Sequence, residues 1–313
     1  KDLLIFKKVE EYSNSKSYPK NEIISGDEIG RLKTLNFNYA FQLMSLKNNI
    51  IIGELYDKIL SSPYKNLGLY VLTASIPNLT WLYRWRMNKK GGSTSGTYYI
   101  CSTPQENNPF NQINRKLRDI LNIKPQKSSS VISTQSSVQT TINNNSIDYI
   151  FTDPPFGANL MYSELNFLWE SWLKVFSNQN TEAIVNKTQN KDENSYKYLM
   201  YNCFKENYRI LKPGKWMTVV FSNSKAAIWN AVQEAIQKSG FIIANVSALD
   251  KKQGSFKAVT TTTAVKQDLV ISAYKPKQEN IEKMKQQINT EESAWTFVAQ
   301  HLEQLPKFSG SKG

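Results

Sequence analysis

Four short apolar runs, each closed by a turn signal and set apart by helix-length stretches, constrain this chain most. They are "IDYIFTD" (147–153), "WMTVVFS" (216–222), "FIIANVSAL" (241–249) and "DLVISAYKP" (268–276). Between them lie amphipathic patterns: Leu165, Leu168, Trp169, Trp172 and Phe176 share one helical face, as do Met200, Phe204, Tyr208 and Leu211. "AAIWNAVQEAIQKSG" follows as a helix stopped by glycine. Strands alternating with helices predict an α/β fold, an open twisted sheet with helices on both faces. Ligands in such sheets bind beyond the carboxyl ends of the strands.

The rest of the chain divides around this block. Residues 1–127 read as a helical and loop region placed before the catalytic strands, 128–276 as the sheet-bearing part, and 277–313 as a helical tail leading to a further C-terminal region. "NNIIIGELYDKIL" predicts a helix, 65–88 a second one kinked near Pro77, and "NPFNQINRKLRDILN" a third with Phe110, Ile113, Leu117 and Leu121 on one face. "KKGGSTSGTYYICSTP" predicts a glycine-serine loop leading into a short strand, and "SSVISTQSSVQT" a polar β segment. "IDYIFTD" reads as a short buried strand, 177–194 as a loop, and His301 as a structural residue of the tail.

Composition narrows the function classes. No run approaches the roughly eighteen apolar residues of a membrane span, and no secretory leader is recognisable, so a cytoplasmic protein is expected. Cys101 and Cys203 are too few for a disulfide framework or a cysteine zinc site, and no metal is expected. The net charge of +13 favours a polyanion, nucleic acid first. Only six of the 39 basic residues are Arg, however, and a Lys- and Asn-rich chain can owe its charge to an AT-rich genome. Beginning at Lys rather than Met, the sequence is expected to be a piece of a longer protein.

The chemistry concentrates where the first apolar run ends, at Asp153-Pro154-Pro155-Phe156. Two adjacent prolines end a strand at the cost of its hydrogen bonds. What remains is an acceptor side chain, an exposed carbonyl and an aromatic face. That set suits a flat base bearing an exocyclic amine, whose lone pair is delocalised into the ring and is a poor nucleophile. Asp153 accepts one N–H and the Pro154 carbonyl the other, which favours a pyramidal nitrogen and stabilises the positive charge it acquires. Pro155 fixes the backbone, and Phe156 stacks on a base swung out of its helix. The bland alternative is a strand-ending turn; average usage gives this tetrapeptide about once in a thousand chains of this length.

"TDPPF" resembles the catalytic signature of the S-adenosylmethionine-dependent amino-methyltransferases, which modify adenine N6 or cytosine N4 in DNA. "RILKPGK" (209–215) looks like the turn before the fifth strand of class I methyltransferases. "TDPPFGANLMYSELNFLWESWL", "QGSFKAVTTTTAVKQDLVISAYKP", "AWTFVAQHLEQLP", "SGDEIGRLKTL" and "GGSTSGTYYICS" together are similar to a group of large bacterial and archaeal DNA methylases. The resemblance implies a partial class I methyltransferase (Rossmann-like) sheet, S-adenosyl-L-methionine as cofactor, and duplex DNA with a flipped target base as partner. It further implies a place in a restriction-modification or related defence system. Asp at the first motif position leans toward adenine; cytosine N4 or RNA is the alternative acceptor. The family also needs a glycine-rich loop for the cofactor's amino-acid end. None of the thirteen glycines forms a Gly-x-Gly, and "GGSTSG" stands in the wrong context. The chain is therefore expected to be a fragment without that loop, with an uncovered strand edge at "DYIFTDPP". Such an edge would pair with missing N- and C-terminal portions of the same protein or with another copy. A non-catalytic DNA-binding or assembly module is the competing reading.

Other candidates stay open between function and structure. Arg84, Arg86, Lys89 and Lys90 interleave with Trp81, Tyr83 and Trp85, fitting a DNA strand or, equally, a helix with core aromatics and solvated cations. Tyr162 and Asn223 are weak candidates for the cofactor. Ser163, Glu164 and Asn166 either line the pocket or, for Ser163, cap a helix. "GSFKAVTTTTAVK" is a target-reading arm or an ordinary loop.

Overall fold

The computed structural model describes residues 17–87, 91–123, 129–223, 225–250, 267–277, 279, 281–282, 298 and 301–302. The chain forms two compact units, one of residues 1–131, 161–180 and 186–189, the other of 132–160, 181–185 and 190–313. Among the described residues no helix is long and apolar enough to cross a membrane.

The first unit is helical. Helix α1 (Leu46–Leu60) starts where the Ser45 hydroxyl accepts the Asn48 N–H at 3.2 Å. Helix α2 (Lys65–Ser75) runs into a 3-10 turn, Ile76–Leu79, carrying Pro77. The helix expected to reach 88 therefore stops early: Pro77 contributes no N–H, and 80–87 form turns and single bridges. "TYYICS" forms no strand either; the backbone of Arg84 bridges instead to Gly92 and Pro104. Helix α3 (Pro109–Leu121) forms as expected, but Phe110 and Leu121 are 61% and 65% exposed. Of its expected apolar face, Ile113 packs against the core.

Helix α4 (Tyr162–Leu173) buries Phe167, Leu168 and Trp172 with Ile52, Tyr56, Leu72, Ile76 and Leu79. Its Glu164, wholly buried, accepts the N–H groups of Glu28 (2.7 Å), Ile29 (3.0 Å) and Asp27 (3.2 Å) and the Asn186 amide (2.7 Å). Gly26 permits this, since a Cβ there would lie 2.3 Å from the Glu164 carboxyl carbon. The same turn reaches outward. The Asp27 carboxylate accepts the amides of Lys187 (3.1 Å) and Thr188 (3.3 Å) and the Thr188 hydroxyl, and Glu28 accepts the Tyr98 N–H at 3.1 Å. Burial pushes the Asp27 carboxyl up, but the Thr188 hydroxyl and the two amides outweigh it and hold it below its ordinary value.

The second unit is the α/β part. Strands β1 (Ile147–Thr152), β2 (Leu211–Phe221), β3 (Ile242–Asp250) and β4 (Gln267–Tyr274) lie in the order β1-β2-β4-β3. β1 runs parallel to β2, while β4 is antiparallel to both its neighbours. Helices α5 (Glu193–Ile210) and α6 (Ala226–Lys238) cover one face: Tyr196, Met200, Phe204, Ile228, Val232 and Ile236 cluster with Met217, Val219, Phe221, Ile271 and Ala273. On the other face Tyr274 meets Trp216, and its hydroxyl lies 3.2 Å from Nδ1 of His301, itself a helical residue. The rest of the expected tail lies outside the described residues.

Two expectations fail here for physical reasons. β1 is not a buried strand: Tyr149 and Phe151 are 54% and 63% exposed, and among the described residues β2 is its one partner. The "SSVISTQSSVQT" segment forms no strand: Val131 and Ile132 are 91% and 97% exposed, with nothing to pack against, and at its end Thr140 bonds to a side chain instead of a ladder. The Glu206 carboxylate accepts the Thr140 N–H and hydroxyl, both at 2.7 Å, and Arg209 donates to Glu206 and to the Ile142 carbonyl. Nearby, buried Lys275 donates to Asn145 Oδ1 (2.6 Å), the Tyr208 carbonyl (2.7 Å) and the Leu211 carbonyl (2.9 Å).

Glu164→Ala leaves three backbone donors and the Asn186 amide without their acceptor, and is expected to cost about 3–5 kcal/mol in urea unfolding. Acid has a separate target. The Arg209 guanidinium bond, ahead of the Thr140 bonds, holds the Glu206 carboxyl at about 2 against an ordinary 4.5. The stability this contributes is complete above 4.5 and is lost as pH falls from there toward about 2. A Glu206→Gln variant should show a shallower loss over that window.

Candidate functional site

The end of β1 is set by missing donors. Its pairing with β2 stops at Thr152 opposite Val219, because Pro154 and Pro155 carry no N–H to continue the ladder. Asp153 follows at the carboxyl end of the strand and is exposed, Pro154 is buried, and Pro155 and Phe156 are half-buried. Gly157 closes the segment at φ 65°, a conformation that side chains with a Cβ disfavour.

Side chains from α5 and from the end of β2 hold this strap by its carbonyls. The Tyr196 hydroxyl donates to the Pro155 carbonyl at 2.8 Å. The Asn223 amide donates to the Phe156 carbonyl at 2.9 Å, while its Oδ1 accepts the Lys225 N–H at 2.8 Å, at the start of α6. The Gly157 carbonyl takes the Val185 N–H at 3.3 Å. The Phe156 ring stands edge-on to Phe221, with centroids 5.2 Å apart and planes 79° apart, and Trp229 packs on Phe221 in turn. Asp153, Pro154, Pro155 and Phe156 are thus presented together as one segment at the strand end. Asn223 stands beside it at the carboxyl end of the neighbouring strand, with both ends of its amide engaged by backbone.

The candidates at 84–86 and 162–166 belong to the first unit. Tyr162 is the first residue of α4 and is 38% exposed; Ser163 is buried and makes no helix cap, since Met161 occupies that position. Glu164 is the buried acceptor described above, and Asn166 is exposed. Arg84 is half-buried in the segment of turns, whereas Arg86 and Trp85 are exposed. The segment is not helical, and Trp81 and Tyr83 are half-buried. Lys89, Lys90 and "GSFKAVTTTTAVK" lie outside the described residues. Within "GGSTSG", Gly91 makes room for Tyr83, whose ring would be 2.5 Å from a Cβ there. Burial pushes the Cys203 thiol up to about 11, which makes it a poor nucleophile.

Sequence reasoning missed Tyr196 and Gly157. Tyr196 precedes Met200 by four residues and so extends the same helical face; that spacing was the available signal, although it says nothing of the hydroxyl.

The DNA methylase family profile matches residues 147–305, half of the chain, including the strap and all four strands. No curated protein matches. Among solved structures, a candidate DNA modification methylase from Thermus thermophilus is 16% identical, with 46% of this chain and 53% of that one aligned and a TM-score of 0.28. The same protein complexed with S-adenosyl-L-methionine aligns at 14% identity over 46% and 54% of the two chains, with a TM-score of 0.25. A SAM-dependent methyltransferase from Methanosarcina mazei is 11% identical over 52% and 77%, with a TM-score of 0.28. The aligned region spans about half the length of the Thermus protein.

Gly157→Ala tests the strap's conformation. The new Cβ meets Asn223 Nδ2 and Ile228 no closer than 3.4 Å, so the cost comes from the left-handed backbone. A loss of about 1–2 kcal/mol in urea unfolding is expected, with an unchanged far-UV spectrum.

Proposed function

The chain belongs to the DNA methylase family, and from that premise we propose that it serves methyl transfer from S-adenosyl-L-methionine to the N6 amine of adenine in duplex DNA. The setting proposed is a restriction-modification or related defence system in the cytoplasm. The observation that carries the reading is the strap itself: Asp153-Pro154-Pro155-Phe156 at the carboxyl end of a parallel strand, held as a unit.

The chain's own residues act on the base. Asp153 and the Pro154 carbonyl accept the two amine N–H groups, which localises the nitrogen lone pair and stabilises the positive charge that develops there. Phe156, steadied by Phe221, offers a ring to the flipped base. The excess proton on nitrogen leaves to water. S-adenosyl-L-methionine would supply an electrophilic methyl carried on a sulfonium, whose sulfur would keep the electron pair of the broken S–CH3 bond and leave as a neutral thioether. The residues assigned here do not make a cradle for it: the sequence has no Gly-x-Gly, and the Asn223 amide is engaged by the Phe156 carbonyl and the Lys225 N–H. We place that cradle on further polypeptide, of the same protein or a second copy, against the edge of β1 that no other described strand pairs. Exposed Arg86 and Trp85 are the proposed contacts to the DNA strand, with Arg84, Lys89 and Lys90 beside them in sequence.

A second reading is favoured by the absent glycine cradle and the net charge of +13: a DNA-binding or assembly module without its own transfer activity. One experiment separates them. Duplex DNA is incubated with labelled S-adenosyl-L-methionine and the whole protein, including the polypeptide proposed to carry the cradle, and the modified nucleoside is identified by mass spectrometry. N6-methyladenine is expected, with Asp153→Ala reducing transfer at least about 100-fold while the fold is kept. N4-methylcytosine would move the acceptor to cytosine. Full activity in Asp153→Ala would overturn the assignment. Salt-dependent DNA binding without transfer would establish the module reading.

A further inference from the structure

Prolines cannot be held by their own N–H groups, so a two-proline strap is fixed only through its carbonyls or its side chains. In this protein the two carbonyls that follow Pro154 are both taken by side chains, Pro155 by Tyr196 and Phe156 by Asn223. We infer that Tyr196 and Asn223 are positioning residues that set the direction of the Pro154 carbonyl for the target amine. The inference rests on the reading of Asp153 and Pro154 given above.

The geometry follows from the proline ring. The peptide plane bearing the Pro154 carbonyl is joined to Pro155, whose φ is locked near about −65°. Its orientation relative to the Pro155 carbonyl then depends on one soft torsion, ψ of Pro155. The Tyr196 hydroxyl fixes that carbonyl at 2.8 Å, and Asn223 fixes the next one at 2.9 Å. Neither bond uses the Pro154 carbonyl.

Tyr196 is 0% exposed and surrounded by apolar side chains, where Phe would fill the same volume. What Tyr adds is a hydroxyl, and a buried hydroxyl is retained where it has a partner. Asn223 is similarly specific, because its Oδ1 serves the start of α6 while its Nδ2 serves the strap. Asp at 223 would keep the first bond and lose the second.

The test uses steady-state methyl transfer by the whole protein on duplex DNA, with Tyr196→Phe and Asn223→Asp. In each variant kcat is expected to fall about tenfold or more, with KM for DNA and the cofactor dissociation constant within about twofold of the parent. Assays run well below the thermal midpoint separate this from instability: a merely structural role would restore kcat there, and that result overturns the inference. A kcat within about twofold of the parent in both variants overturns it as well, even if Asp153→Ala is inactive and the base-holding reading stands. An inactive parent protein removes the reading itself, and the positioning role with it.

Discussion

A carboxylate cut off from water must be met by donors or cost several kcal/mol, and the first unit is organised around one such group. Glu164 reaches the turn at 26–29 across more than a hundred residues of sequence and takes three consecutive backbone N–H groups there. That demand explains Gly26, which has no side chain where the carboxylate lies. It also explains why two neighbouring acids can point away from the turn: Asp27 and Glu28 turn their side chains outward to the amides at 187–188 and at Tyr98. One "SGDEIG" turn thus fastens α4, the 186–188 loop and the 97–98 segment, each distant in sequence from the others.

The strap obeys the complementary rule. Glu164 gathers backbone donors, whereas the strap lacks donors and is held by side chains that gather its carbonyls. Asp-Pro-Pro therefore stops β1 opposite Val219 and releases its last carbonyls from the ladder. Gly157 then permits the left-handed turn that brings its own carbonyl to Val185. The parallel pairing of β1 with β2 places Asn223, two residues past the end of β2, beside the strap. Strand order, proline chemistry and one amide together produce the local geometry.

Much of this was legible in the sequence, and the failures have a common cause. Helices α1, α3, α4, α5 and α6 and all four apolar strands follow from periodicity and turn residues. The motif's place at a strand end followed from the two prolines. What local pattern could not supply was the partner. The polar stretch at 129–140 looked like a strand by β propensity, yet Thr140 bonds to Glu206 instead. "TYYICS" has strand composition, but Tyr98 sits in the helical core, with its hydroxyl donating to the Leu165 carbonyl and accepting the Leu168 N–H. The segment from Trp81 to Arg86 looked like a helix until Pro77 ended the one before it. Lys275 and Glu206, which local pattern does not single out, are nearly buried, because neighbouring carbonyls and a guanidinium satisfy them.

β1 poses the sharpest contrast between composition and position. Its sequence is that of an interior strand: "IDYIFT" has no lysine, proline or glycine, the residues that usually blunt an edge. Its one charge, Asp148, is paired with Lys212 and Lys215. All-parallel sheets are covered on both faces, but this sheet is mixed, and the parallel pair β1–β2 lies at one side of it. Tyr149 and Phe151 are more than half exposed, and Tyr149 relies on the Thr218 hydroxyl of the neighbouring strand for a partner. The same strand carries the strap proposed to hold the base, while the sequence lacks the glycine cradle that the resemblance leads one to expect for the cofactor. On the proposed reading, an edge unpaired among the described residues and the absent cradle are two aspects of one arrangement. The residues that would hold the base are assembled within one unit by side chains of that unit, and the division between base and cofactor would then fall along the edge of β1 that no other described strand pairs.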